Sequence, residues 1–169
     1  PEYSISVLIL RDPMQRFWSA AKTIHPELSF YGDFPHTGDS YKKAPKNYKK
    51  VKVTCQEAID FAKAKLAKKA NMTTHLETQI SFIGDRKFHS IITVENMLAD
   101  LKDLASQYGV TLLADKVPTH NASVKDWDAE ALEIIKNDEK IKKFYAADIA
   151  LYADPAAHAE PFADPKIGV

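Results

Sequence analysis

Arg11 and Ser19 stand eight residues apart, and Asp12-Pro13 follows Arg11 directly. An arginine presents a planar fork of donors that matches a phosphate. A serine hydroxyl beside it supplies another donor. Placed at a strand-to-helix junction, where anionic ligands bind in α/β proteins, the two could clamp one phosphate group lying along the start of the helix. The chemistry this spacing points to is recognition of an anion.

The flanking residues must hold that pair in place. Ser6, Val7, Leu8, Ile9 and Leu10 form an apolar or small run that reads as a buried strand. Asp12 suits the N-cap and Pro13 the first helical position, so a helix is expected from Pro13 to Ile24. Met14, Phe17, Trp18, Ala21 and Ile24 make one apolar stripe at helical spacing. Ser19 falls opposite that stripe, near Gln15, Arg16 and Thr23, and so on the polar side of the helix.

The stretch "LILRDPMQRFWSA" resembles the 3′-phosphate-binding motif of sulfotransferases that use 3′-phosphoadenosine-5′-phosphosulfate, with Arg11, Arg16 and Ser19 at the matching positions. Three more segments resemble the carbohydrate sulfotransferases in the same order. "HLETQISFI" is similar to their His-x-x-x-Gln stretch, with His75 and Gln79. "FHSIITVENMLADL" is similar to a strand-then-helix segment with a glutamate, here Glu95. "PTHNAS" and "FYAADIALY" are similar to the His-Asn-x-Ser segment and the closing Tyr-x-x-Asp-x-x-Leu-Tyr helix. The resemblance implies an α/β fold, a three-layer P-loop-like parallel sheet flanked by helices. It implies that Arg11 and Ser19 bind the 3′-phosphate, and it makes Thr119, Ser123 and Lys125 candidates for further cofactor contacts. Read from the residues alone, that polar connector is equally suited to turns and helix caps.

The family's 5′-phosphosulfate loop, which contains Gly and Lys, has no counterpart here, because Gly32, Gly38, Gly84, Gly109 and Gly168 are isolated. The chain starts at Pro1, just before a core strand. The expectation is therefore the C-terminal part of a sulfotransferase domain over residues 1–153, lacking its phosphate-loop unit, with a loosely ordered tail at 154–169. By the same resemblance the activity is transfer of a sulfuryl group from 3′-phosphoadenosine-5′-phosphosulfate to a hydroxyl or amine of a carbohydrate-like acceptor. No metal is implied, no catalytic residue is assigned, and the general base is expected outside this chain. The missing loop supports an alternative: a non-catalytic interaction domain with a degenerate nucleotide site. A different P-loop enzyme, such as a nucleotide kinase, faces the same missing loop.

Composition narrows the classes. Lys and Arg number 23 and Asp and Glu 23, so the formal net charge is zero, which argues against a dedicated nucleic-acid binder. No run approaches the roughly 20 apolar residues of a membrane span, so membrane association would need an anchor preceding Pro1. Cys55 is the sole cysteine, which excludes an internal disulfide and leans towards a reducing compartment. A cytoplasmic location is the expectation, with the Golgi lumen the alternative that the relatives bring. Six histidines show no metal-binding spacing, and neither an HExxH nor a G-x-S-x-G motif occurs.

The rest of the chain reads as connectors and helices. Residues 25–53 are irregular, with Lys42, Lys43, Lys46, Lys49, Lys50 and Lys52 among Tyr31, Tyr41 and Tyr48. This is either a lid that attracts an anionic glycan or a solvated loop. A helix is expected over 54–69, opened by a Thr54–Glu57 capping box, with its lysines explained by the helix dipole. Residues 75–83 read equally as helix or extended chain. A strand is expected over 88–92, then a core helix over 94–108 closed by Gly109, then a short strand over 110–113. Two helices are expected over 128–137 and 138–152, the second packing through Ile141, Phe144, Tyr145, Ile149 and Tyr152.

Overall fold

The apolar run after Ile5 forms strand β1, Val7–Leu10, which pairs in parallel with β2, Ser90–Thr93. The register sets Ile9 beside Ile92 and Leu10 beside Thr93. This computed structural model describes residues 5–25, 53–67, 74–109, 111–112 and 125–160. Seven α-helices are described: α1 Pro13–Ile24, α2 Cys55–Leu66, α3 Gln79–Ile83, α4 Met97–Gln107, α5 Lys125–Lys136, α6 Glu139–Phe144 and α7 Ala146–Ala153. The result is a mixed helix and strand protein, mostly helical, with a small two-stranded parallel sheet. No described helix is long and apolar enough to cross a membrane.

The chain divides into two compact units. The first comprises Pro1–Pro13, Thr78–Ala122 and Tyr145–Val169, and the second Met14–Glu77 and Ser123–Phe144.

The first unit holds the sheet. Leu8 and Leu10 point to one side and join Ile83 of α3 and Leu151 of α7 in a buried cluster, edged by Ile80, Phe88, Ile91 and Tyr152. Each buried aliphatic side chain there contributes about 1.5–3 kcal/mol. Beyond β2 the chain turns at Val94–Asn96 and enters α4. The helix therefore starts at Met97 and not at Val94, because the Val94 N–H is still bonded to the Leu10 carbonyl (2.8 Å) as the last rung of the sheet. Helix α4 also corrects its reading as core. Its apolar stripe is half-buried and none of its residues is fully buried. It ends at Gly109, whose φ of +64° is the left-handed conformation expected of a C′ glycine. Thr111 and Leu112 lie in no strand.

Residues just after Asp154 lace onto the start of β2. A 3₁₀ helix, Pro155–His158, leads to Ala159, which bridges to Phe88. The Phe88 N–H donates to the His158 carbonyl (2.8 Å) and the Glu160 N–H to the Phe88 carbonyl (2.9 Å). His89 then meets Ser6. Its Nδ1 accepts the Ser6 N–H (3.1 Å) and lies 2.7 Å from Ser6 Oγ, which leaves the ring proton on Nε2, 3.6 Å from Glu160 Oε1.

The second unit is helical. In α1 the expected stripe is buried at Met14, Phe17, Trp18 and Ala21, joined by Ala20. Helix α2 opens on the expected capping box. The Thr54 N–H donates to Glu57 Oε2 (2.7 Å) and the Glu57 N–H to Thr54 Oγ1 (3.2 Å). These bonds to Thr54 hold the Glu57 carboxyl below its usual range. Cys55, Ala58, Ile59, Ala62 and Leu66 bury the inner face of α2, which packs on α5. His25 meets Phe61 edge-on at 5.0 Å.

The C-terminal helical stretch departs from expectation. Residues 138–152 do not form one helix: the chain breaks at Tyr145 (φ −96°, ψ 16°), between α6 and α7. The Tyr145 side chain is fully buried. Ile149, expected to pack, is 36% exposed, and Asp148 is buried in its stead.

Candidate functional site

Strands of a parallel sheet present their carboxyl ends together, and that edge is where ligands sit in open α/β sheets. Here it carries Arg11 after β1 and Glu95 after β2. Four segments distant in sequence converge on it within the first unit.

Helix α3 supplies Gln79. Its Oε1 accepts the Arg11 N–H (3.0 Å), and its Nε2 donates to the Arg11 carbonyl (2.9 Å). Helix α7 supplies Asp148, whose carboxylate accepts the Gln79 N–H (2.7 Å) and the Ile80 N–H (2.9 Å). These are orphan donors of the first turn of α3, so Asp148 caps that helix from another part of the chain. Past β2, Glu95 accepts the Asp12 N–H at Oε1 (3.1 Å) and the Tyr152 hydroxyl at Oε2 (3.0 Å). Burial, then the bond to and charge of Glu95, with Asp12 and Asp100 adding, push the Tyr152 phenol up to about 12, so it stays a donor at neutral pH. Asp100 in turn accepts the Thr93 N–H (2.8 Å), fixing the end of β2 to α4.

Each side of the Arg11-Asp12 turn is thus held by side chains: Gln79 grips the Arg11 peptide and Glu95 the Asp12 N–H. The Arg11 side chain stands differently. Its Nε is the buried side-chain polar atom that, among the described residues, has no hydrogen-bond partner. Guanidinium is charged at every accessible pH, and a buried donor without an acceptor costs about 1–3 kcal/mol. An anion placed against Arg11 would relieve that cost.

Ser19 lies on α1 in the second unit, half-buried, facing away from Phe17 and Ala21. Arg16, matched to the same motif, donates through Nη1 to the Glu77 carbonyl, which gives it a structural role. Lys125 opens α5. Thr119 and Ser123 lie outside the described residues, as does the lysine-rich stretch 42–52. His75 is exposed in the turn that precedes α3, so it does not share a helical face with Gln79.

Sequence reasoning gives Gln79, Glu95 and Asp148 no site role, and names the first two only within stretches that resemble the family. Asp148 carried a visible signal. Ile141, Tyr145, Asp148 and Tyr152 recur at helical spacing, so an aspartate sits in an otherwise apolar face. Such a residue is buried only when its hydrogen bonds are supplied.

Ser6, His89 and Glu160 also align in the order hydroxyl, imidazole, carboxylate. Ser6 Oγ accepts the His89 N–H (3.2 Å) while facing Nδ1, so both residues are engaged in tying β1 to β2. The His89 and Ser90 N–H groups beside Ser6 both donate to the Ser6 carbonyl (3.0 and 3.2 Å), so this pair is engaged in strand pairing and not free to hold an oxyanion.

Comparison of the chain with protein-family models, with curated proteins and with solved structures finds no match in any of the three.

Proposed function

We propose that this chain binds a 3′-phosphorylated adenine nucleotide through Arg11, as part of a sulfotransferase that uses 3′-phosphoadenosine-5′-phosphosulfate and a carbohydrate-like acceptor. One observation carries the reading: the buried, unpartnered Nε of Arg11 at the carboxyl end of β1. The resemblance supports it from a second direction. Arg11, Gln79, Glu95, Asp148 and Tyr152 come from segments that each resemble the same family, and they share hydrogen bonds around one turn. A P-loop-like sheet belongs to the same proposal.

In the reaction, the acceptor oxygen forms a bond to sulfur as the bond from sulfur to the bridging phosphate oxygen breaks. The acceptor proton passes to a general base, and adenosine 3′,5′-bisphosphate leaves with the electron pair. Arg11 contributes by holding the 3′-phosphate, which fixes the donor for in-line attack. No residue of this chain is assigned as the base. The lack of a Gly- and Lys-containing loop within the chain favours a second reading, a nucleotide-binding module without catalysis.

Calorimetric titration of adenosine 3′,5′-bisphosphate tests the common core of both. Binding is expected, with Arg11→Ala weakening it by about tenfold to a hundredfold, the worth of one charged hydrogen-bonded contact. Adenosine 5′-monophosphate, which lacks the 3′-phosphate, is expected to bind as weakly to the unaltered chain as the bisphosphate does to Arg11→Ala. Equal affinity of the unaltered chain for the two nucleotides would sink the assignment.

A further inference from the structure

We infer that Gln79 is a positioning residue for Arg11: its amide holds the Arg11 peptide by both edges and so sets where the guanidinium is presented. The inference rests on the reading of Arg11 as the anion-binding residue. It draws on a bond pattern that this reading does not require.

The last rung of the sheet is the Val94 N–H to the Leu10 carbonyl. One residue later the Arg11 peptide takes both its bonds from a side chain. Gln79 Oε1 accepts the Arg11 N–H and Nε2 donates to the Arg11 carbonyl, at 3.0 and 2.9 Å. A primary amide can do this because it carries an acceptor and a donor side by side. The network also fixes its orientation: a flipped amide would set donor against donor and acceptor against acceptor. Glu95, on the next residue, carries acceptors alone and holds one N–H.

A glutamine side chain is flexible, so its grip is only as firm as its own anchor. That anchor is Asp148, fully buried, with one oxygen on the Gln79 N–H and the other on the Ile80 N–H. A continuous path thus runs from Asp148 through Gln79 to the Arg11 backbone. Arg11 ends on a buried donor without a partner. Hydrogen bonds weaken steeply with distance and angle, so displacing the Arg11 backbone would move that donor away from an anion while leaving its charge intact.

Two variants test this. Gln79→Glu keeps the acceptor for the Arg11 N–H but sets an acceptor against the Arg11 carbonyl. Gln79→Met keeps the length and removes both bonds. Ile83→Val, in the buried cluster and without a bond to Arg11, reports a plain loss of packing. Each is measured for thermal unfolding, for calorimetric affinity towards adenosine 3′,5′-bisphosphate, and for the Arg11 Nε–H signal in a ¹H–¹⁵N spectrum, assigned by its disappearance in Arg11→Lys. Both Gln79 variants are expected to shift the Arg11 Nε–H signal and to weaken nucleotide binding about tenfold. Ile83→Val should leave both readouts in place. Should Gln79→Glu fail to fold, Gln79→Met carries the test.

A folded Gln79 variant with the Arg11 signal and the affinity both unchanged overturns the inference. So does failure of both variants to fold, since Gln79 would then be a structural residue. If the unaltered chain binds no bisphosphate, the functional reading fails. The Nε–H signal still decides whether Gln79 positions Arg11.

Discussion

At the scale of single residues, the two most telling groups are the buried Nε of a half-buried arginine and a fully buried aspartate, with opposite fates. Arg11 Nε lacks an acceptor, whereas Asp148 satisfies two donors at the head of α3. Removing that carboxylate leaves the Gln79 and Ile80 N–H groups without their acceptor, so Asp148→Ala is expected to cost about 2–3 kcal/mol. Urea unfolding would show it as a lower midpoint with an unchanged slope. Asp148→Asn, which keeps one acceptor, should fall between. A loss below about 1 kcal/mol for Asp148→Ala would mean that water replaces the carboxylate at little cost. Arg11 stands out in the sequence because an arginine closing an apolar run before Asp-Pro is itself an anomaly. Gln79 is reached from sequence only through the His-x-x-x-Gln resemblance, because its pair of bonds to the Arg11 backbone, 68 residues away, leaves no local pattern.

At the scale of elements, helix starts were more legible than their partners. Pro13 and the Thr54–Glu57 box mark α1 and α2 correctly, since caps are local chemistry. Lysine 63 shows the limit. Its place near the end of α2 suits the helix dipole, and that explanation is sufficient from sequence. In the fold it bonds to Asp138, which also caps α6 through the Lys140 and Ile141 N–H groups (2.9 and 3.1 Å). The bond to Asp138 raises the Lys63 ammonium. Burial works to raise the Asp138 carboxyl but is outweighed by Lys63 and the two N–H donors, so the net shift is downward. Both side chains are largely buried, at 24% and 15% exposure, so the pair lies between surface and interior cases. Lys63→Met is expected to cost about 1–2 kcal/mol near neutrality. Because the Asp138 pKa is depressed on folding, its contribution is present above its ordinary value of 3.8 and is lost as pH falls through the folded one. Denaturation midpoints of Lys63→Met and the unaltered chain should therefore converge as pH falls through the depressed Asp138 pKa. A gap that stays constant from neutrality down to the acid-unfolded baseline would show that Lys63 acts by packing alone.

At the scale of the whole molecule, the chain's path matters more than any one element. The first unit is assembled from three separated stretches and the second from two. Contacts such as Ser6 to His89 span 83 residues. Such long-range closure makes for slow folding, and it is invisible to periodicity, which reports only neighbours in sequence. The C-terminal stretch is the clearest case. Three prolines and many small residues read as a tail, yet its first part is bonded to the entry of β2 through backbone groups whose partners no composition reveals. If that lacing is an edge contact and not part of the sheet's foundation, its removal should have a local effect. A chain ending at Asp154 is expected to lose hydrogen-exchange protection at the Phe88 N–H, whose acceptor is the His158 carbonyl. The Val94 N–H, bonded to Leu10 within the sheet, should keep its protection. Equal loss at both amides would make residues 155–160 integral to the pairing of β1 with β2. The turn that carries Arg11 would then depend on the far end of the chain, because that pairing is what brings Glu95 to the Asp12 N–H.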